Sequence, residues 1–170
     1  MSVPTDARPV PGTLWPGEDI FTAVVRVPRS TGATAYGAKD AVGTQMAVAG
    51  AVRGPGRGAV LEAVTVIDNA AQKAALELYL FGAIPTEATD NSAYDPTDGD
   101  LLLSRGFVAI AATDYTSQLA DNAIGTKLPG LPFSLIGDNT TLWLQLITSG
   151  TPTYEAGNTD LSLVLTFRRF

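Results

Sequence analysis

Apolar residues alternate with polar or small ones along much of this chain, and that period of two defines most of its predicted elements. Residues 20–27, "IFTAVVRV", set Phe21, Ala23, Val25 and Val27 on one face. Residues 74–81, "AALELYLF", align Leu76, Leu78 and Leu80 against Glu77, Tyr79 and Phe81. In "TLWLQLIT" (141–148), Leu142, Leu144 and Leu146 oppose Trp143, Gln145 and Ile147, and "DLSLVLTFRR" (160–169) aligns Leu161, Leu163, Leu165 and Phe167. Such alternation predicts β-strands with one face toward a core. In "AVLEAVTVID" (59–68) both phases carry apolar residues, so both faces of that strand are expected to be at least partly covered. Weaker strands are expected at 42–48, 106–112 and 131–136.

About eight short strands separated by Gly, Pro, Asn and Asp clusters predict an all-β protein, an antiparallel β-sandwich or a barrel. Residues 68–73 read as the turn of a hairpin joining 59–67 to 74–81, and "LADNAIG" (119–125) and "AGNTDLS" (156–162) read as turns. Helix is expected at one or two short places at most. No fixed-period repeat suggests a solenoid or propeller.

The first 17 residues differ from the rest. Pro4, Pro9, Pro11 and Pro16 favour extended backbone, and Leu14 and Trp15 are the large apolar side chains of the segment. The chain therefore divides into an N-terminal arm, 1–17, and one sandwich domain, 18–170. Because Trp is enriched at interfaces, Leu14 and Trp15 are candidates for contact with a partner.

The 170 residues contain 17 Gly and 11 Pro, which agrees with many turns. Cys and His are both absent, which removes disulfides, thiolate chemistry, His-based triads and the usual ligands of zinc. Carboxylate chemistry, Lys or Tyr acid/base roles and oxygen-ligated Ca²⁺ or Mg²⁺ are what the composition leaves. Neither an apolar run long enough for a membrane-spanning helix nor a secretory signal is visible, so no membrane partner is expected. Acidic residues outnumber basic ones 17 to 11, a net charge of −6 that argues against binding nucleic acid. Arg53 and Arg57 flank the Gly-rich "RGPGRG". Without a GK[ST] ending or a following helix this is a turn between strands rather than a phosphate loop, and its two arginines are further partner-binding candidates.

"TDNSAYDPTDGD" (89–100) concentrates carboxylates. It fits no EF-hand register: counting from Asp95 puts Gly99 at a ligand position, and counting from Asp90 puts Asp95 where Gly is required. Asp95, Asp98 and Asp100 remain weak candidates for a looser metal site, and a glycosidase-like carboxylate pair would need a second group across a cleft. A local reading has a mechanism of its own. Thr97 and Asp100 have capping-box spacing, Asp98 and Asp100 suit the first helical turn, and "LLLSR" would bury one face before Gly106 ends the helix. The segment is then a short helix joining two strands.

Three stretches carry a family resemblance: "AYGAKDAVG" (35–43), "RGPGRGAVLEAVTVIDNAAQKAALELYLFGAIPTEATDNSAYDPTDGDL" (53–101) and "PTYEAGNTDLSLVLTF" (152–167). Over these the chain resembles tailed-bacteriophage capsid decoration, or cement, proteins encoded near the major capsid protein. The resemblance implies a β-sandwich, often a jelly roll, that binds the outer surface of the shell, commonly as a homotrimer, with the major capsid protein as partner. It implies a virion location, with host cytoplasm during assembly, no cofactor and no catalytic residues. The alternative is a carbohydrate- or receptor-binding jelly-roll module of a head fibre or tail, using Tyr36, Tyr94, Tyr115 or Trp143.

Overall fold

The computed structural model describes residues 18–30, 32, 34–116 and 119–170. Among the described residues nine strands form two antiparallel sheets: β1 (Asp19–Arg26), β2 (Ala41–Val48), β3 (Gly58–Asp68), β4 (Leu76–Phe81), β5 (Ser104–Ile110), β6 (Ala123–Lys127), β7 (Leu131–Ser134), β8 (Leu142–Thr148) and β9 (Leu161–Arg169). One sheet runs β1-β9-β3-β6, with β7 also pairing with β3; the other runs β2-β8-β4-β5. The protein is a β-sandwich. Its core is the layer between the sheets, where Leu76, Leu78 and Leu80 join Leu142, Leu144 and Leu146 from one side and Leu161, Leu163, Leu165 and Phe167 from the other. These are the residues that the alternating pattern placed inward. Each such side chain contributes roughly 1.5–3 kcal/mol through burial.

Strand β3 explains why both of its phases are apolar. Leu61 pairs with Phe167 but Ala63 with Thr166, so Glu62 is an extra residue, a β-bulge. Ala59 and Leu61 face the core before the bulge, and Val64, Val66 and Asp68 face it afterwards. A one-residue insertion switches the inward phase mid-strand.

Two connections differ from the sequence reading. β3 and β4 do not form a hairpin, because they lie in opposite sheets. The chain between them turns over the end of the sandwich, with Ala71 and Lys73 at φ 51° and the buried Asp68 carboxylate accepting from the N–H groups of Ala70 and Lys73 at 3.1 and 2.8 Å. Residues 119–125 are not simply a turn either: β6 starts at Ala123 and pairs with β3. Gly125, read as a turn signal, is a strand glycine beneath Tyr115. A Cβ there would come within 3.1 Å of the ring.

Between β4 and β5 the chain leaves the sheet for residues 82–103. Gly82 N–H donates to Leu103 O at 2.8 Å, which joins the beginning and end of this excursion. At its far end Asn91 N–H donates to Ala41 O, Ala41 N–H to Ser92 O and Tyr94 N–H to Lys39 O. The excursion therefore runs along the outer face of the second sheet.

Asp90 fixes that far end. Its buried carboxylate accepts from Ser30 N–H, the Tyr36 hydroxyl and Gly43 N–H, each at 2.7 Å. Gly43 lies in a β2 bulge at φ 75°, where a Cβ would meet Pro28 O at 2.4 Å. Only glycine brings its N–H so close. Replacing Asp90 with Ala orphans several buried donors at once, so the expected loss in equilibrium urea unfolding is about 2–5 kcal/mol.

Candidate functional site: the outer face of the second sheet

Tyr79 and Phe107 are cross-strand neighbours on the outward phase of β4 and β5. Their rings stack at 5.4 Å with 19° between planes, and Phe107 is 53% exposed. The Tyr94 ring, carried by the excursion, lies 6.2 Å from Tyr79. Between the sheet and the excursion opens a cleft of about 310 Å³ whose lining includes Lys39, Glu77, Tyr79, Tyr94, Leu101 and Ile147. The Tyr79 hydroxyl donates to the Glu77 carboxylate at 3.0 Å. Burial, and then that carboxylate, push the Tyr79 phenol up. Burial pushes Tyr94 up to about 12, and its hydroxyl has no hydrogen-bond partner among the described residues. The cleft thus presents aromatic faces with one carboxylate and one ammonium at its rim.

The helix expected in the acidic stretch is present as α1 (Asp98–Leu103). Thr97 Oγ1 accepts from Asp100 N–H, and the Asp100 carboxylate accepts from Thr97 N–H and Oγ1–H. The box is complete. What the helix buries is the reverse of the sequence reading. Asp100 is its buried residue, whereas Leu101 is 52% and Leu102 81% exposed. Gly106 does not end it either: Ser104 in extended conformation does, and Gly106 lies inside β5. The inversion has a local cause. Asp100 also accepts from Thr86 N–H at 2.8 Å and Thr86 Oγ1–H at 3.3 Å, which turns the carboxylate inward against the excursion and its leucines outward.

Asp95 and Asp98 are exposed, while both Asp100 oxygens are engaged by Thr86 and Thr97. Among the described residues no three acidic side chains are grouped to hold a metal ion. Of the aromatic candidates, Tyr36 and Tyr115 are buried at 1% and 7% exposure, Trp143 is half-buried, and Tyr94 reaches the cleft. Arg53 and Arg57 lie in an exposed turn between β2 and β3. Leu14 and Trp15 fall outside the described residues. The sequence reading missed Leu101, Leu102 and Phe107 as surface groups, although a large aromatic on the outward phase of β5 was a usable signal.

Comparison with known protein families, curated proteins and solved structures gives no match.

The hydrogen bond from Thr86 N–H, followed by the Thr97 hydroxyl, holds Asp100 below its ordinary value of 3.8. A lowered carboxylate value stabilises the folded state above the unfolded value and ceases to do so as pH falls through the folded one. Asp100→Ala is expected to cost about 1–2 kcal/mol at neutral pH in denaturant titrations. The difference from the parent chain should shrink as the pH falls below 3.8 and through the lowered folded-state value.

Proposed function

We propose that this chain is a capsid decoration protein, a β-sandwich that seats on the outer surface of a phage head and stabilises the shell of major capsid protein. The observation that carries this reading is the apolar surface built by α1 and β5: Phe107 stacks exposed on Tyr79, exposed Leu101 lines the cleft with Tyr79, and Leu102 on the same helix is 81% exposed. Exposed apolar groups gathered on one face mark a protein contact more often than they mark chance. Burying them contributes roughly 25 cal/mol per Å² before the costs of association.

The resemblance to decoration proteins over 35–43, 53–101 and 152–167 supports the same reading. The buried carboxylates Asp68, Asp90 and Asp100 are engaged by backbone N–H groups, an architectural use. A jelly roll is the finer description we favour. It is supported by the order β1-β9-β3-β6 facing β2-β8-β4-β5, with β7 as an addition that pairs with β3. The homotrimeric state, the virion location and an arm contact through Leu14 and Trp15 belong to the same proposal.

The aromatic cleft favours a second reading. Tyr79 and Tyr94 with Glu77 and Lys39 could grip a sugar ring, as a head-fibre or tail module would require.

Co-sedimentation with purified shells separates these readings. Leu102→Glu with Phe107→Glu should abolish shell binding while leaving the unfolding midpoint nearly unchanged, and deleting 1–17 should weaken binding. Unchanged occupancy in the double variant would refute the face. Binding on a glycan array, lost with Tyr79→Ala, would favour the fibre module.

A further inference from the structure

The turn that carries Arg53 and Arg57 is shaped as a rigid projection. Arg57 N–H donates to Gly54 O at 3.1 Å across Pro55-Gly56, and Gly56 has φ 69°, the geometry of a type II turn. A Cβ built on Gly54 or Gly56 would meet no residue beyond its chain neighbours within 4 Å, while the base of the turn and Phe170 border a hollow of about 460 Å³. Arg53, Pro55, Gly56 and Arg57 are exposed. The neighbouring arginines are spent internally: Arg168 pairs with Glu62 and Glu18, and Arg169 with Asp19. Arg53 and Arg57 join no ion pair among the described residues, on a chain whose net charge is −6, although the Arg53 charge reaches Asp19 and, after Arg169, helps hold that carboxyl below its ordinary value.

A complementary feature lies elsewhere on the same molecule. The excursion encloses a hollow of about 190 Å³ whose lining includes Thr86, Glu87, Ser92, Tyr94 and Asp95. Glu87 and Asp95 are exposed and have no ion pair among the described residues, and Asp98 stands exposed on the adjoining helix turn. Tyr94 adds an aromatic ring of the kind that guanidinium groups stack upon.

We propose that the Arg53–Arg57 tip of one copy inserts into the Glu87/Asp95 hollow of a second copy. A chain cannot satisfy this pairing alone. Ser92, Tyr94 and Asp95 lie beside the start of β2, whereas the tip follows its Val48 end, roughly 17 Å away along a bulged strand whose ends pair with Ile147 and Leu142 of β8. The two surfaces differ, so the contact is head-to-side: one copy keeps a free hollow and the other a free tip, which further copies fill until a ring closes. The inference stands apart from the shell reading, since it needs no capsid.

Sedimentation velocity of the full chain, across protein concentration and at low and high salt, tests it. Self-association is expected at low salt and should weaken as the screening length falls to about 3 Å near 1 M salt. Arg53→Glu with Arg57→Glu, or Glu87→Lys with Asp95→Lys, should each weaken it roughly tenfold or more. The chain carrying all four changes should associate again, and so should an equimolar mixture of the two double variants. All altered residues are exposed, and unfolding midpoints near that of the parent confirm the fold. A chain that stays monomeric throughout overturns the proposal. So does association indifferent to charge reversal, failure of the fourfold variant to recover, or a tip that binds only an unrelated acidic protein.

Discussion

A buried carboxylate facing several backbone and hydroxyl donors sets the shape of this molecule. Asp90 sits where the excursion from the second sheet meets the connection between β1 and β2, and it binds Ser30, Tyr36 and Gly43 together. A sandwich whose strands pass repeatedly from sheet to sheet leaves donors at its ends that no ladder can satisfy. One anion with several lone pairs answers a cluster of them at once. Without that anchor the far end of the excursion keeps only the backbone hydrogen bonds of Asn91, Ser92 and Tyr94 to residues 39–41, and the wall of the cleft and apolar face is weakened.

The same solution recurs at other corners. Asp68 turns the chain at the end of β3, at the cost of burial that pushes its carboxyl up. Asp100 binds Thr86 and Thr97 and rotates the leucines of α1 outward. At the end of β1 the polarity is exchanged: the buried Arg29 guanidinium meets Asp160 at 3.2 Å and lies 5.5 Å from the centre of the Tyr154 ring. Asp160 is pushed up by burial, but the Glu155 N–H and Arg29 outweigh this and hold it below its ordinary value. Loops in this protein are fastened by charge delivered to backbone, so its most perturbed carboxyl groups mark architecture before they mark chemistry.

What could be read from the sequence follows from the range of the forces involved. Strands were legible because alternation is local and the core is a single layer; Leu142, Leu144 and Leu146 needed only their spacing to be assigned. The capping box was legible because Thr97 and Asp100 are three residues apart. The partition of β3 and β4 between two sheets was not, since a turn over the edge and a hairpin turn share the same residue types. Strand β6 was hidden because Gly125 answers to Tyr115, a contact through space. The partners of Asp90 lie 47 to 60 residues away in sequence, and no spacing rule reaches them. The outward leucines of α1 were misread for a similar reason: Thr86, fourteen residues upstream, decides which side of the helix is inside.

The central claim is that the excursion pinned by Asp90 forms the face that meets a partner. Hydrogen exchange of the protein, free and bound to purified capsid shells, tests it most directly. Added protection is expected in the segment 94–107 and in β4 near Tyr79, with little change in β1, β3 and β9. Protection confined to the first sheet, or none at saturating occupancy, would contradict the account.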